Sequence, residues 1–387
     1  MRIQNGLNNF LQKKLSPKQF IFGVCLIPLP VVVVLFGILW LYDPVQLFHK
    51  PIFRETTFFG DMRLAARGII RYYDFDSVIL GTSMLENTSA KEAGEKLGGK
   101  WVNLSLSGSA YNERAVVLEY LFRYKKPQKI IYSLESFTID SIKDSSRFDY
   151  LYDENPLDDF KIYLNDKFMS CALEWKKSAN CIGRRDLEEL LKWSNHEDLK
   201  ILFGGFEKWL KYGKKETIAM LKNIKDAPFV IKKDNFDLEK QRSYIQTYVL
   251  DFVAENPQTQ FFFIVPTYSR LGYRIESDNF YNIESSFFYT KAFYNRALNL
   301  KWFVQELEKY PNAKIYGFDT LDYADDIANY RDFTHYNVDM NSLHLDSIKQ
   351  GKHILDSNNI DSYLKVMEDK IKNYDLKPFI EKAKTIK

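Results

Sequence analysis

An unbroken run without a single charged side chain, Phe20 to Tyr42 (FIFGVCLIPLPVVVVLFGILWLY), constrains this chain more than any other feature. At about 1.5 Å per residue a helix of this length spans on the order of 35 Å, enough for the hydrocarbon of a bilayer. Trp40 and Tyr42 stand where an interfacial aromatic belt belongs, and Pro28 and Pro30 predict a kink. Arg2, Lys13, Lys14 and Lys18 precede the run, with no acidic residue up to Gln19. The positive-inside rule then predicts residues 1–19 as a cytoplasmic tail, 20–42 as an anchor and 43–387 as an extracytoplasmic (periplasmic) domain of a single-pass protein of the inner, or cytoplasmic, membrane. A cleaved signal peptide is the alternative, but the run is long for one and no small-x-small site follows it. Cys25 does not make a lipoprotein signal, since Val24 and Phe22 stand where a small residue and an aliphatic one are needed.

Beyond a connector at about 43–59, helix and strand patterns alternate. Phe75–Leu80, Trp101–Leu106 and Lys129–Leu134 read as buried strands, separated by helices over Ser83–Lys96 and Asn112–Tyr124. Strands return at Phe261–Val265 and Ala313–Phe318, with helices predicted over Thr290–Tyr310 and Val338–Leu355 and a charged, peripheral helix over Asp361–Lys387. Between them, about 142–256 is charged, carries Trp175, Trp193 and Trp209, and lacks strand runs. The expectation is an α/β fold on a parallel sheet, with this stretch as a helical insertion or cap.

Formal net charge is only +3, which gives no case for nucleic acid. Aromatics reach 16%, with 25 Tyr and 30 Phe; either an aromatic core or a carbohydrate-facing cleft accounts for them. Cys171 and Cys181 are either a small disulfide loop or two free thiols. No histidine stands at a metal-ligand spacing from either cysteine, and the phosphate-loop, zinc-protease and dinucleotide motifs are absent, so no cofactor is expected.

Two distant segments carry the chemistry. Val78-Ile79-Leu80-Gly81-Thr82-Ser83-Met84 puts a serine at a strand end, and Asp332-Phe333-Thr334-His335-Tyr336 puts an acid and a histidine three positions apart in a post-strand loop. A serine hydroxyl needs a base to take its proton and a carboxylate to orient that base. Ser83 is the candidate nucleophile, His335 the base and Asp332 the orienting acid; the backbone N–H groups of Ser83 and Gly108 are the candidate oxyanion donors. The plain alternatives are a turn with a helix cap at Gly81-Thr82-Ser83 and an Asp–His pair that merely bridges a loop. His49 is beside the span, His196 in the insertion, and His344 and His353 are expected on the surface of the closing helix.

VILGTSM, NLSLSGSA and DFTHY together resemble the SGNH/GDSL hydrolase superfamily, and more narrowly its membrane-anchored branch, similar to the D-alanyl transfer protein of teichoic acids and to alginate O-acetylation proteins. The resemblance covers about 76–134 and 261–355 and implies a three-layer, flavodoxin-like α/β/α fold with Ser83, Asp332 and His335 as the triad and Gly108 as the oxyanion glycine. It implies an extracytoplasmic O-acyltransferase acting on an exported glycan or cell-wall polymer, with a membrane-bound O-acyltransferase as partner. A membrane-anchored carbohydrate esterase or deacetylase, and a non-catalytic polysaccharide-binding assembly protein, are the alternatives. The chain departs from the family in the third block: where Gly-x-Asn-Asp is usual it has Ser133-Leu134-Glu135-Ser136, which leaves Asn87 or Asn112 as substitutes for the missing asparagine.

Overall fold

The computed structural model describes residues 16–135, 148–188, 192–224, 229, 238–274 and 289–385. The basic residues Arg2, Lys13 and Lys14 and the start of the expected insertion lie outside them.

The charge-free run forms two helices, α1 (Pro17–Leu26) and α2 (Leu29–Tyr42), broken at Ile27-Pro28. Pro28 lacks the N–H that would continue the ladder, and Pro30 falls in the first turn of α2, where a missing N–H is tolerated. By length and composition Phe20–Tyr42 is long and apolar enough to cross a membrane.

Six strands form one sheet in the order β2-β1-β3-β4-β5-β6: β1 Ser77–Leu80, β2 Trp101–Asn103, β3 Lys129–Ser133, β4 Gln260–Val265, β5 Ala313–Gly317 and β6 Ile354–Leu355. The first five are parallel and β6 runs antiparallel to β5. Successive side chains of a strand point to opposite faces, and both faces here are apolar. Val78 and Leu80, Ile130 and Tyr132, and Phe261 and Phe263 join one core. Ile79, Ile131 and Ile264 join the other. Helices Met62–Tyr72 and Tyr111–Tyr124 lie over the first core and Val338–Gln350 over the second, while Ile360–Lys372 reaches both, Ile360 and Tyr363 joining the first and Met367 and Ile371 the second.

The five parallel strands were legible, though β2 is shorter than expected; the antiparallel β6 and several helix limits were not. Ser83–Lys96 is two helices, Ser83–Glu86 and Ala90–Leu97, because Ser89 caps the second by accepting from the Glu92 N–H. The closing helix stops at Gln350: Gly351 adopts left-handed φ (65°), and the chain turns back as β6. The charged tail is not peripheral, since Ile360, Tyr363, Met367 and Ile371 bury a stripe at helical spacing. Leu238–Glu255 is a helix with one π turn at Gln246–Leu250; its buried Ile245, Val249 and Val253 join the first core, so it serves as the crossover into β4 rather than as part of a cap. Among the described residues of the insertion there is no strand, and Cys171 and Cys181 form a disulfide. Among the described residues many aromatics are core: Tyr111, Tyr120, Tyr132, Tyr163 and Tyr316 are all buried.

Candidate active site

The chain passes from β1 to β2 on one side and to β3 on the other, so strand order reverses between β1 and β3. In open α/β sheets ligands bind beyond the carboxyl ends of the strands at such a point. Gly81 makes the exit from β1: a Cβ there would lie 2.3 Å from Ser133 Oγ at the end of β3 and 3.0 Å from Leu85 Cβ, so only glycine fits. Thr82 then caps the short helix, its hydroxyl accepting from the Met84 N–H, and Ser83 is the first helical residue.

The Asp332–His335 segment is held over this turn. An antiparallel bridge between Tyr330 and Tyr336 pinches the loop. The Tyr336 hydroxyl and the Asn341 amide both donate to the Met84 carbonyl, each at 2.9 Å, tying loop and helix Val338–Gln350 to the residue after Ser83. The outcome is a continuous relay. Ser83 Oγ lies 2.9 Å from His335 Nε2, across 252 positions of sequence. His335 Nδ1 lies 2.9 Å from both carboxylate oxygens of Asp332. Donation from Nδ1 to the carboxylate leaves Nε2 as the acceptor for the serine proton. Asp332 Oδ1 also accepts the backbone N–H groups of Thr334 and His335 and the Thr334 hydroxyl, which fixes the carboxylate. Burial pushes the Asp332 carboxyl up, but His335 and then Arg331 outweigh it and hold it far below the usual carboxylate range.

Ser83, Gly108 and His335 line one cleft of ≈ 410 Å³, together with Glu86, Trp193, Lys214, Tyr268 and Arg331. Gly108 has left-handed φ (61°), and no heavy atom lies within 4 Å of where its Cβ would stand. The backbone turn, rather than crowding, is what asks for glycine there.

The proposed substitutes for the missing asparagine are engaged elsewhere. Asn87 accepts from the Ser194 N–H, Asn112 accepts from the Tyr244 hydroxyl, and neither lines the cleft. Of the third block, Ser136 lies outside the described residues. Glu135 is fully buried: it accepts from the hydroxyls of Thr82 and Ser133 and pairs with Arg114 at 3.1 Å. It braces the Ser83 turn from beneath.

Four features escaped the sequence. Trp193, from the insertion, donates its indole N–H to the Ser83 carbonyl at 3.1 Å and meets the His335 ring edge-on at 5.5 Å. Arg331 sits 3.9 Å above the Trp193 ring and 3.3 Å from Asp332. Glu86 enters the cleft one helical turn after Ser83; burial pushes its carboxyl up to about 7 against the opposing pull of Arg331 and Arg63. The Glu135–Arg114 pair is the fourth. A tryptophan in a charged stretch was the one sequence signal among these. His344 and His353 depart from expectation: His344 is buried between Phe318 and Tyr336, where burial drops it to about 3, and His353 follows the closing helix with left-handed φ. Among the described residues no group of His, Cys, Asp and Glu is placed to hold a metal ion.

No family model, curated protein or solved structure matches the chain.

Proposed function

We propose that the chain is a membrane-anchored O-acyltransferase of SGNH type, with a three-layer α/β/α fold, that moves an acyl group onto a hydroxyl of an exported glycan or cell-wall polymer. The observation that carries this reading is the Ser83–His335–Asp332 relay, with 2.9 Å at both links, opening into a cleft at the switch point of the sheet. Ser83 Oγ attacks the acyl carbonyl carbon while its proton passes to His335 Nε2. The oxyanion that forms is met by the backbone N–H groups of Ser83 and Gly108. Collapse breaks the bond to the leaving group, which takes the proton from His335 and leaves an acyl-serine. An acceptor hydroxyl then gives its proton to His335 and attacks the ester; Ser83 leaves and is reprotonated. Asp332 holds the imidazole tautomer and stabilises its cationic form throughout.

The anchor supports placement beside a membrane-bound acyl donor, whose effective concentration a tether raises. The Cys171–Cys181 disulfide supports an oxidising, extracytoplasmic compartment. A membrane-bound O-acyltransferase is the partner this reading requires.

The test is intact-mass analysis after incubation with p-nitrophenyl acetate. The wild-type chain gains one acetyl group, and Ser83→Ala does not. Transfer of that group to a polyol in preference to water separates the transferase from an esterase. An adduct retained by Ser83→Ala sinks the assignment.

A further inference from the structure

The catalytic domain does not hang free below its anchor; it grips the last two turns of α2. Leu39 and Tyr42 are 1% and 2% exposed, and Leu35 and Ile38 pack half-buried on the first core. Phe36 meets Phe160 edge-on at 4.9 Å, and Phe160 stacks on Phe48 at 4.5 Å. The Tyr42 hydroxyl donates to the Lys176 carbonyl at 2.6 Å. The buried Asp43 carboxylate accepts the N–H groups of Leu47, Phe48 and His49 and the Tyr163 hydroxyl, locking the exit from the helix.

This grip creates a length problem. The stretch clear of the domain, Phe20–Val34, reaches only about 22 Å at 1.5 Å per residue, whereas the hydrocarbon core is about 30 Å thick. The other face of α2 stays open, with Trp40 42% exposed. Immersing α2 to its outer end therefore carries the gripping segment around Phe160 into the same layer. That segment is dressed for it. Leu157 and Leu164, at the two ends of the gripping 3-10 helix Asp159–Tyr163, are 79% and 51% exposed. Leu173, at the end of the helix that packs on α2, is 59% exposed, and Phe53 is 62% exposed. Lys161 and Lys167 are exposed among them and long enough to reach the headgroups.

The outer end of α2 is basic. Arg54 donates to the carbonyls of Tyr42 and Asp43 at the outer end of α2. It lines a cleft of ≈ 690 Å³ with Lys177, Arg184, Arg185 and a single carboxylate, Glu55. Cations at that height face lipid phosphates.

We propose that this underside, the apolar rim of Phe53, Leu157, Leu164 and Leu173 with the basic cleft above it, is a lipid-contacting surface seated in the outer leaflet of an anionic bilayer. It completes the short span and holds the domain at one fixed tilt and height. The proposal rests on reading Phe20–Tyr42 as the anchor.

The test uses the full chain carrying Cys25→Ser, in nanodiscs of phosphatidylglycerol and phosphatidylethanolamine with no other protein. Single nitroxides are placed at Leu157→Cys, Leu164→Cys, Val33→Cys and Val366→Cys. Relaxation by oxygen reports lipid, and relaxation by a water-soluble nickel chelate reports solvent. Oxygen is expected to dominate at Val33, Leu157 and Leu164, and the chelate at Val366, exposed on the tail helix Ile360–Lys372. Chelate-dominated relaxation at Leu157 and Leu164 with oxygen dominant at Val33 overturns the seating and leaves the anchor intact. Chelate dominance at Val33 overturns the anchor and the seating with it.

Discussion

Glu135 and Arg114 pair at 3.1 Å with neither side chain exposed, directly beneath the turn that presents Ser83. Arg114 also donates to the Ser133 carbonyl at 2.6 Å and lies 4.8 Å and 4.5 Å from the ring centres of Tyr111 and Tyr132. Removing one member of a buried pair leaves the other charge without its counterion, a loss of about 3–5 kcal/mol. Glu135→Gln is therefore expected to lower the urea midpoint of the detergent-solubilised protein strongly. A midpoint within error of wild type would show that the pair does not hold this turn.

In the proposed relay Asp332 acts through His335, so Asp332→Asn isolates orientation from packing. Asn at 332 can still meet the loop N–H groups now accepted by Oδ1, but its amide favours the opposite imidazole tautomer, with the proton on Nε2. Acylation by p-nitrophenyl acetate is expected to slow by about three to four orders of magnitude, with circular dichroism unchanged. A loss of less than tenfold would remove Asp332 from the relay.

The parallel strands were readable because each is a short apolar run, with Gly81 after β1 and Pro266 after β4 also marking their ends. β6 was not, because two residues pairing with β5 leave no periodic trace, and the helical pattern before them ran on past Gly351. The tail misled through its charges, though Ile360, Tyr363, Met367 and Ile371 already spelled a buried stripe. Ser83, Asp332 and His335 were legible as a pairing, since each half lies in a segment after a strand and His335 alone of the five histidines stands in such a loop with a carboxylate nearby. Glu135, Arg114 and Glu86 were not, since a charged residue reads as surface until tertiary structure buries it. The pairing of Cys171 with Cys181, left open by spacing alone, needed the packing of helices Asp166–Leu173 and Ala179–Ile182.

That disulfide spans ten positions beside the C-terminal end of α2, where the Ile182 carbonyl accepts from the Thr57 hydroxyl. Chain-entropy arguments give such a loop about 2–3 kcal/mol. The double variant Cys171→Ser with Cys181→Ser is expected to lose that much, and reductant is expected to shift the wild-type midpoint but not the variant's. Equal sensitivity of both proteins to reductant would count against it.

Glu86 supplies a pH signature. Its carboxyl ordinarily titrates near 4.5 and is raised to about 7 in the cleft, first by burial. A raised carboxyl binds its proton more tightly in the folded than in the unfolded chain. Its contribution is thus complete below pH 4.5, declines as pH rises, and is gone once pH passes about 7. The whole effect is on the order of 3 kcal/mol. Glu86→Gln keeps the shape and removes the titration. The variant is expected to gain on wild type progressively between 4.5 and 7, with a constant difference outside that window, read as urea midpoints against pH. A difference independent of pH throughout would mean that Glu86 is ionised in the cleft as freely as in the unfolded chain.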